Sequence, residues 1–264
     1  MLAAEPLIRL AAFLGVLAAL VLAERAFARG VPRPLSWRRW PANLALPAIG
    51  AVLVRLVAPA GAVGAAVWAG ANGVGVFRAL AVPAPLAFLL SVVLLDLLVY
   101  LQHVAFHRVP ALWRLHRMHH ADPELDATTG LRFHPMEILL SLALKAAGVV
   151  ALGAPAEAVL VFEVLLNATS MFNHADLRLP PRLDRWLRLV LVTPDMHRTH
   201  HSELRAETDS CYGFCLPWWD RLFGTYVARP AAGLDRAVIG VPGLREAREQ
   251  RLDRLLAQPF LHPP

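Results

Sequence analysis

Apolar residues gather along the chain in four stretches separated by arginine-rich loops, and a helix needs about 20 such residues to cross a bilayer. Leu7 to Leu22 is the first, broken by Arg9, and the Glu5/Arg9 flank suits a retained span better than a cleaved signal peptide. Leu44 to Ala60 is the second. Its Arg55 must snorkel or face protein, and the Gly/Ala-rich stretch from Gly61 to Gly75 is expected to pack against it. Leu86 to Phe106 is the strongest, about 31 Å long as a helix, with Asp96 near its middle and His103 and His107 at its far end. Ile138 to Phe172 is split by Gly153-Ala154-Pro155, which predicts a helical hairpin whose two short arms return the chain to the side it left.

After the hairpin the pattern changes. Leu177 to Tyr226 mixes Arg, Trp and Leu, too polar to span and too aromatic for a flexible tail, and predicts a folded cytosolic cap. From Leu244 to Leu256 apolar positions recur at helical spacing opposite Arg245, Arg248, Arg251 and Arg254, which predicts an amphipathic helix at the cap or on the membrane surface, the simpler alternative being a packed surface helix. The expected fold is an all-α integral membrane helical bundle, about three spans plus a helical hairpin, with a histidine-rich cytosolic cap. Residues 1–85 would hold the N-terminal spans and linker, 86–226 the histidine-bearing domain with its hairpin at 138–172, and 227–264 the tail.

Composition narrows the class. A length of 264 residues allows one compact unit. With 57% hydrophobic residues, 17% charged and mean hydropathy +0.49, an ordinary soluble or disordered chain is excluded. The balance is basic, 26 Lys+Arg against 20 Asp+Glu, but the arginines flank apolar stretches, a membrane-topology pattern rather than a nucleic-acid surface. If the loop with Arg25, Arg29, Arg33, Arg38 and Arg39 is cytosolic, the third span exits to the cytosol. Everything from Arg108 onward, hairpin aside, then lies there too. Cys211 and Cys215 are expected as free thiols in a reducing compartment.

Candidate chemistry lies in the histidines. Of the 11, ten fall between positions 103 and 201. His103 and His107 stand four apart, one turn above each other on a helix face. His116, His119 and His120 form an HxxHH box, and His197, His200 and His201 form another. In a helix the i,i+3 and i,i+4 positions converge while the adjacent pair splays, so one box can serve two neighbouring metals. His134 in Arg-Phe-His-Pro and His174 in Phe-Asn-His complete the set. Clustered neutral imidazoles bury unpaired polar nitrogens unless a divalent cation satisfies them. Ten ligands are too many for one ion and about right for two, and imidazole alone does not choose among iron, zinc, copper and nickel. Asp96, seven residues before His103, and Glu137, three after His134, could hold imidazole N–H groups in place. For Asp96 a helix-packing hydrogen bond is the equal alternative.

These residues carry a resemblance. HxxxH, the two HxxHH boxes, Arg-Phe-His-Pro-Met-Glu, Asn-His, Thr193-Pro194-Asp195-Met196 and the run from Trp219 to Tyr226 together resemble the fatty acid hydroxylase / sterol desaturase superfamily, from about Leu86 to Tyr226. The resemblance implies a non-haem dimetal centre, two iron ions in the active enzyme, with zinc able to take the same ligands in isolated protein. It implies that His103, His107, His116, His119, His120, His174, His197, His200 and His201 bind metal, with His134 fitting less well. Some members have a histidine where this chain has Ser170, and commonly Asn where it has Cys211.

The implied activity is O2-dependent hydroxylation or desaturation of a membrane lipid, sterol or fatty acyl chain. No haem, flavin or iron–sulfur motif occurs in this sequence, so electrons are expected from a separate donor such as a ferredoxin or a b-type cytochrome with its reductase. Nucleic acid is not an expected partner. The rival reading, a non-enzymatic metal-binding protein or metal transporter, would want ligands near mid-bilayer on broken helices. A zinc hydrolase would want an open, carboxylate-assisted site.

Overall fold

A computed structural model describes residues 2–30 and 33–261. In chain order its helices are α1 (Glu5–Phe27), α2 (Ser36–Val57), α3 (Gly61–Ala71), α4 (Val76–Ala79), α5 (Ala84–Arg108), α6 (Pro110–His120) and α7 (Pro135–Leu152). They continue as α8 (Ala156–His174), α9 (Pro181–Leu187), α10 (Pro194–His200), α11 (Arg205–Thr208), α12 (Trp218–Leu222) and α13 (Leu252–Leu261). Proline is the first residue of α6, α7, α9 and α10. There its fixed φ suits the helix and its missing N–H costs nothing, so the chain restarts sharply around the histidines.

Among the described residues, four stretches are long and apolar enough to cross a membrane: Glu5–Phe27, Trp37–Ala79, Ala84–Arg108 and Pro135–Leu152. The predicted hairpin is α7 and α8, turned at Gly153, which sits in the left-handed region at φ 68° and returns its N–H to Val149 and Val150. A Cβ on Gly75 would lie 2.2 Å from the Gly153 nitrogen, so the hairpin tip is seated on a second glycine. Each arm packs against α3 and α5, while α1 lies on α8 and α2 on α7. The Gly/Ala-rich stretch therefore packs on the hairpin rather than on the second span. Its small Ala62 and Ala66 meet Leu95, Val99, Val149 and Phe162 in the central core.

The second span begins eight residues earlier than its apolar run and takes in Arg38 and Arg39. Arg39 is fully buried. Its guanidinium is tied to Asp122, Asp126 and Glu124 in the loop after α6. Asn43 reaches Thr128 in the same loop at 3.0 Å. Acids far away in sequence thus let a polar helix end enter the protein.

The predicted cap lies alongside α5 rather than beyond its end. The Asp96 carboxylate accepts the N–H groups of Cys215 and Leu216, both at 3.2 Å, and the Trp219 indole N–H at 2.9 Å. Tyr100 stacks on Phe223 with 5.5 Å between ring centroids. Asp96 therefore holds this segment and not an imidazole. Seven residues put it on the face of His103 but about 10 Å further along the helix, beyond contact.

The C-terminal helix also begins later than its periodicity implied. The Gln250 side chain donates to the carbonyls of Ala121 and Leu244, fixing 244–251 in irregular backbone with one 3₁₀ turn. From Leu252 onward the helix buries Leu255 against Ala42, Leu46 and Met118.

Removing Arg39 would leave three carboxylates facing one another without water. Arg39→Met is expected to destabilise the protein by about 3–5 kcal/mol, read as a lowered thermal midpoint in detergent.

Candidate metal centre

Nine histidines meet in two groups. His103, His107, His116, His120 and His200 form one, and His119, His174, His197 and His201 the other. Within each group the candidate ligand atoms lie within 4.8 Å of one another, and every ring is buried. The two HxxHH boxes divide in opposite senses. The i,i+4 pair His116/His120 joins the first group and His119 the second, whereas the pair His197/His201 joins the second and His200 the first. Each box therefore borders both groups, and the groups touch where His120 stacks on His201 with 4.4 Å between centroids.

The surroundings settle where six of the nine rings keep their proton. The carbonyls of Tyr212, Ser210 and Ser170 lie 2.7, 2.7 and 2.6 Å from Nδ1 of His103, His200 and His174. The Arg132 carbonyl is 3.2 Å from Nδ1 of His119. Glu137 Oε1 is 2.7 Å from His116 Nδ1, and Asp209 Oδ1 is 3.3 Å from His107 Nδ1. Carbonyls and carboxylates only accept, so these rings donate from Nδ1 and turn a bare Nε2 lone pair inward.

Those lone pairs face each other. Nε2 of His103 and His116 are 3.0 Å apart, as are those of His119 and His174, although neither member of either pair has a proton left to donate. The Nε2 atoms of His107, His120 and His200 are buried without a hydrogen-bond partner. Each such orphan costs about 1–3 kcal/mol, and a cation among them removes the cost of all. Nitrogens about 2.1 Å from one ion lie roughly 3.0 Å apart when they subtend a right angle and roughly 3.4 Å at a tetrahedral one. The observed 3.0 Å separations are those of nitrogens that can share one ion. The residues present fit a pair of metal ions.

Burial, then repulsion among neighbouring rings, holds His119, His120, His197 and His201 well below the usual imidazole value. Burial pushes His200 down to about 3. All five are neutral, the form that ligates. Burial also pushes the Cys211 thiol up to about 12 and Cys215 well above its usual value, so neither supplies a thiolate.

His134 joins neither group. Pro135 starts α7, which makes His134 the N-cap, and its Nδ1 accepts the Met136 N–H at 3.2 Å. Its Nε2–H points to the Leu256 carbonyl at 3.3 Å. Ser170 packs on the backbone at Gly130, donating to its carbonyl at 2.8 Å, and a Cβ on Gly130 would come within 2.4 Å of the Ser170 oxygen. That close approach fixes the Ser170 carbonyl, which faces His174 Nδ1. Sequence reasoning missed Asp209 as the partner of His107 and the loop acids Asp122 and Asp126. The density of acids from Asp122 to Asp126, directly after an HxxHH box, was the available signal.

Cys211 sits at φ 51°, in the left-handed region that asparagine tolerates better than cysteine. Its sulfur lies 3.2 Å from the Val227 carbonyl and 3.3 Å from the Val227 N–H, contacts an asparagine amide can reproduce. Cys211→Asn is expected to stabilise the protein by about 0.5–1 kcal/mol in thermal melts, relieving part of the left-handed strain. Glu137→Gln is expected to weaken metal binding about 10- to 100-fold in chelator competition, whereas His134→Ala leaves metal content unchanged and costs about 1 kcal/mol as a lost cap.

Residues 88–225 match the family described as fatty acid hydroxylase. The chain is 34% identical over 146 residues to the ornithine lipid hydroxylase OlsE of Rhizobium tropici, a match covering 54% of this chain and 43% of that protein. It is 31% identical over 134 residues to the alkylglycerol monooxygenase of Homo sapiens, covering 49% and 28% respectively. Each match thus spans less than half of the relative's length. No solved structure matches. The family match runs from α5 through α12 and contains all nine clustered histidines, and the chain belongs to the fatty acid hydroxylase family.

Proposed function

We propose that the protein is an O2-dependent hydroxylase of a membrane lipid, with the nine clustered histidines holding two iron ions. The observation that carries this reading is a cavity of about 850 Å³ whose wall includes His103 and His116 and continues between α1, α2, α5, α7 and α8. It joins the histidine centre to the space among the spanning helices, where a lipid can enter without crossing water. The names of both relatives describe insertion of oxygen, which favours hydroxylation over desaturation, and one names a lipid.

When bound, iron supplies the redox chemistry that O2 needs before it can attack an unactivated C–H bond. One oxygen atom enters that bond. The other leaves as water, with two electrons from a separate donor of the ferredoxin or cytochrome kind and two protons from solvent. The chain's own residues do the positioning. Glu137 holds the proton of His116 on Nδ1, and backbone carbonyls do the same for His103, His119, His174 and His200. Phe106, Phe133 and Phe214 line the histidine end of the cavity and keep water from the reacting carbon.

The centre is assigned to the cytosolic side. Arg29 and Arg39, from the loop and helix end after the first span, are bound to Asp195 and Asp122 beside the histidine boxes, so the basic loop and the centre share one face.

Purified protein is expected to carry two iron ions per chain and to transfer one atom of labelled O2 into an extracted lipid. His119→Ala is expected to lose the metal and to reduce oxidation to background. Oxidation that survives removal of the metal would overturn the reading.

A further inference from the structure

The wall of the cavity carries charge deep within the spanning helices. Arg9 on α1, Lys145 on α7 and Glu163 on α8 converge there: Arg9 donates to Glu163 at 2.6 Å and Lys145 donates to the other carboxylate oxygen. Their side chains are 31%, 13% and 10% exposed, and all three line the cavity together with Gln102, Ser141 and Asn167. Glu5 pairs with Arg9 from outside the cavity at 2.8 Å. Arg55 adds a third cation to the lining, and the remaining acid of the wall, Glu137, is engaged by His116.

As packing this arrangement is poor economy, because apolar side chains of similar volume usually replace a buried ion pair at no loss of stability. Ionisable residues inside a membrane mark substrate and ion pathways. A lysine has three donors and an arginine five. Lys145 uses one on Glu163, and Arg9 uses two on Glu163 and Glu5, which leaves both cations, each in the cavity wall, with donors beyond those the carboxylates take. Lys145 stands eight residues after Glu137 on α7, so the cluster lies about 12 Å along the helix from the histidine end.

We propose that Arg9, Lys145 and Glu163 form a subsite for the anionic group, phosphate or carboxylate, of the lipid whose chain reaches His103 and His116. The cations bind the anion, and Glu163 orients both side chains. A lipid held in this way presents carbon about 12 Å from its polar group to the centre, so oxidation falls within the chain and not beside the head. These are positioning residues, since they touch the substrate away from the reacting bond. The inference rests on the reading of this cavity as the place where a lipid is oxidised. Its test needs no turnover, so failure of the oxygenase reading would leave the binding pattern intact.

The test is titration of the purified holoprotein, in neutral detergent, with dodecyl phosphate, dodecanoate and dodecanol. Wild-type protein is expected to bind at least one of the two anions tenfold or more tighter than the alcohol, and the tighter of the two identifies the anion. Lys145→Met is expected to lose this preference with unchanged metal content, while Lys145→Arg retains it. Equal binding of all three compounds by the wild type would overturn the proposal, and this comparison decides even if Lys145→Met does not fold. A folded Lys145→Met that keeps the preference would overturn it equally.

Discussion

Each imidazole of the centre has one proton to place, and for six of the nine rings the fold places it outward. Four of those protons go to main-chain carbonyls and two to carboxylates, so six lone pairs are turned toward the interior before any ion arrives. The rest of the structure depends on this constraint. The carbonyls of Ser210 and Tyr212 hang from a segment that Asp96 and Asp220 clamp to α5, and that of Ser170 is fixed by the approach of Gly130. Backbone geometry, rather than a shell of replaceable side chains, therefore sets the angles of the ligands.

Three buried polar groups within the bundle follow a second rule: each is enclosed by partners of its own. Arg39 is enclosed by three acids, Asp96 by three N–H donors, and Glu163 by two cations. Such clusters tie α1 to the hairpin helices α7 and α8, and α2 and α5 to segments that come later in the chain. They do what disulfides or a larger apolar core would do elsewhere, and they do it with direction as well as strength. The same rule gives Arg29 and Arg39 of the basic region a second duty, since both are committed to carboxylates.

Much of this was legible in the chain. The apolar runs, the glycine turn at 153 and the i,i+4 histidines follow from local periodicity, and local periodicity survives folding. The ends of α2 and α13 did not, because Arg39 and Gln250 are satisfied by residues 83 and 129 positions away, which hydropathy cannot see. His134 misled for a related reason. Its neighbour Pro135 gave it a capping duty that a search for metal ligands does not weigh. Asp96 was placed on the correct face but too far along it to reach an imidazole, and local spacing gave no sign of the later segment it grips.

The division of His197, His200 and His201 between the two groups has a consequence for biogenesis. Neither group is complete until this late triplet has left the ribosome, long after the first spans have entered the lipid. Nor can His103 and His200 adopt their working tautomers until the carbonyls at 210 and 212 have arrived. Ions taken up by these groups would load as a closing event, on a chain already threaded through its membrane. They would act as a clasp joining the first histidine-bearing helix to the last, and a chain truncated before residue 197 would present a half-built cage to whatever delivers the metal.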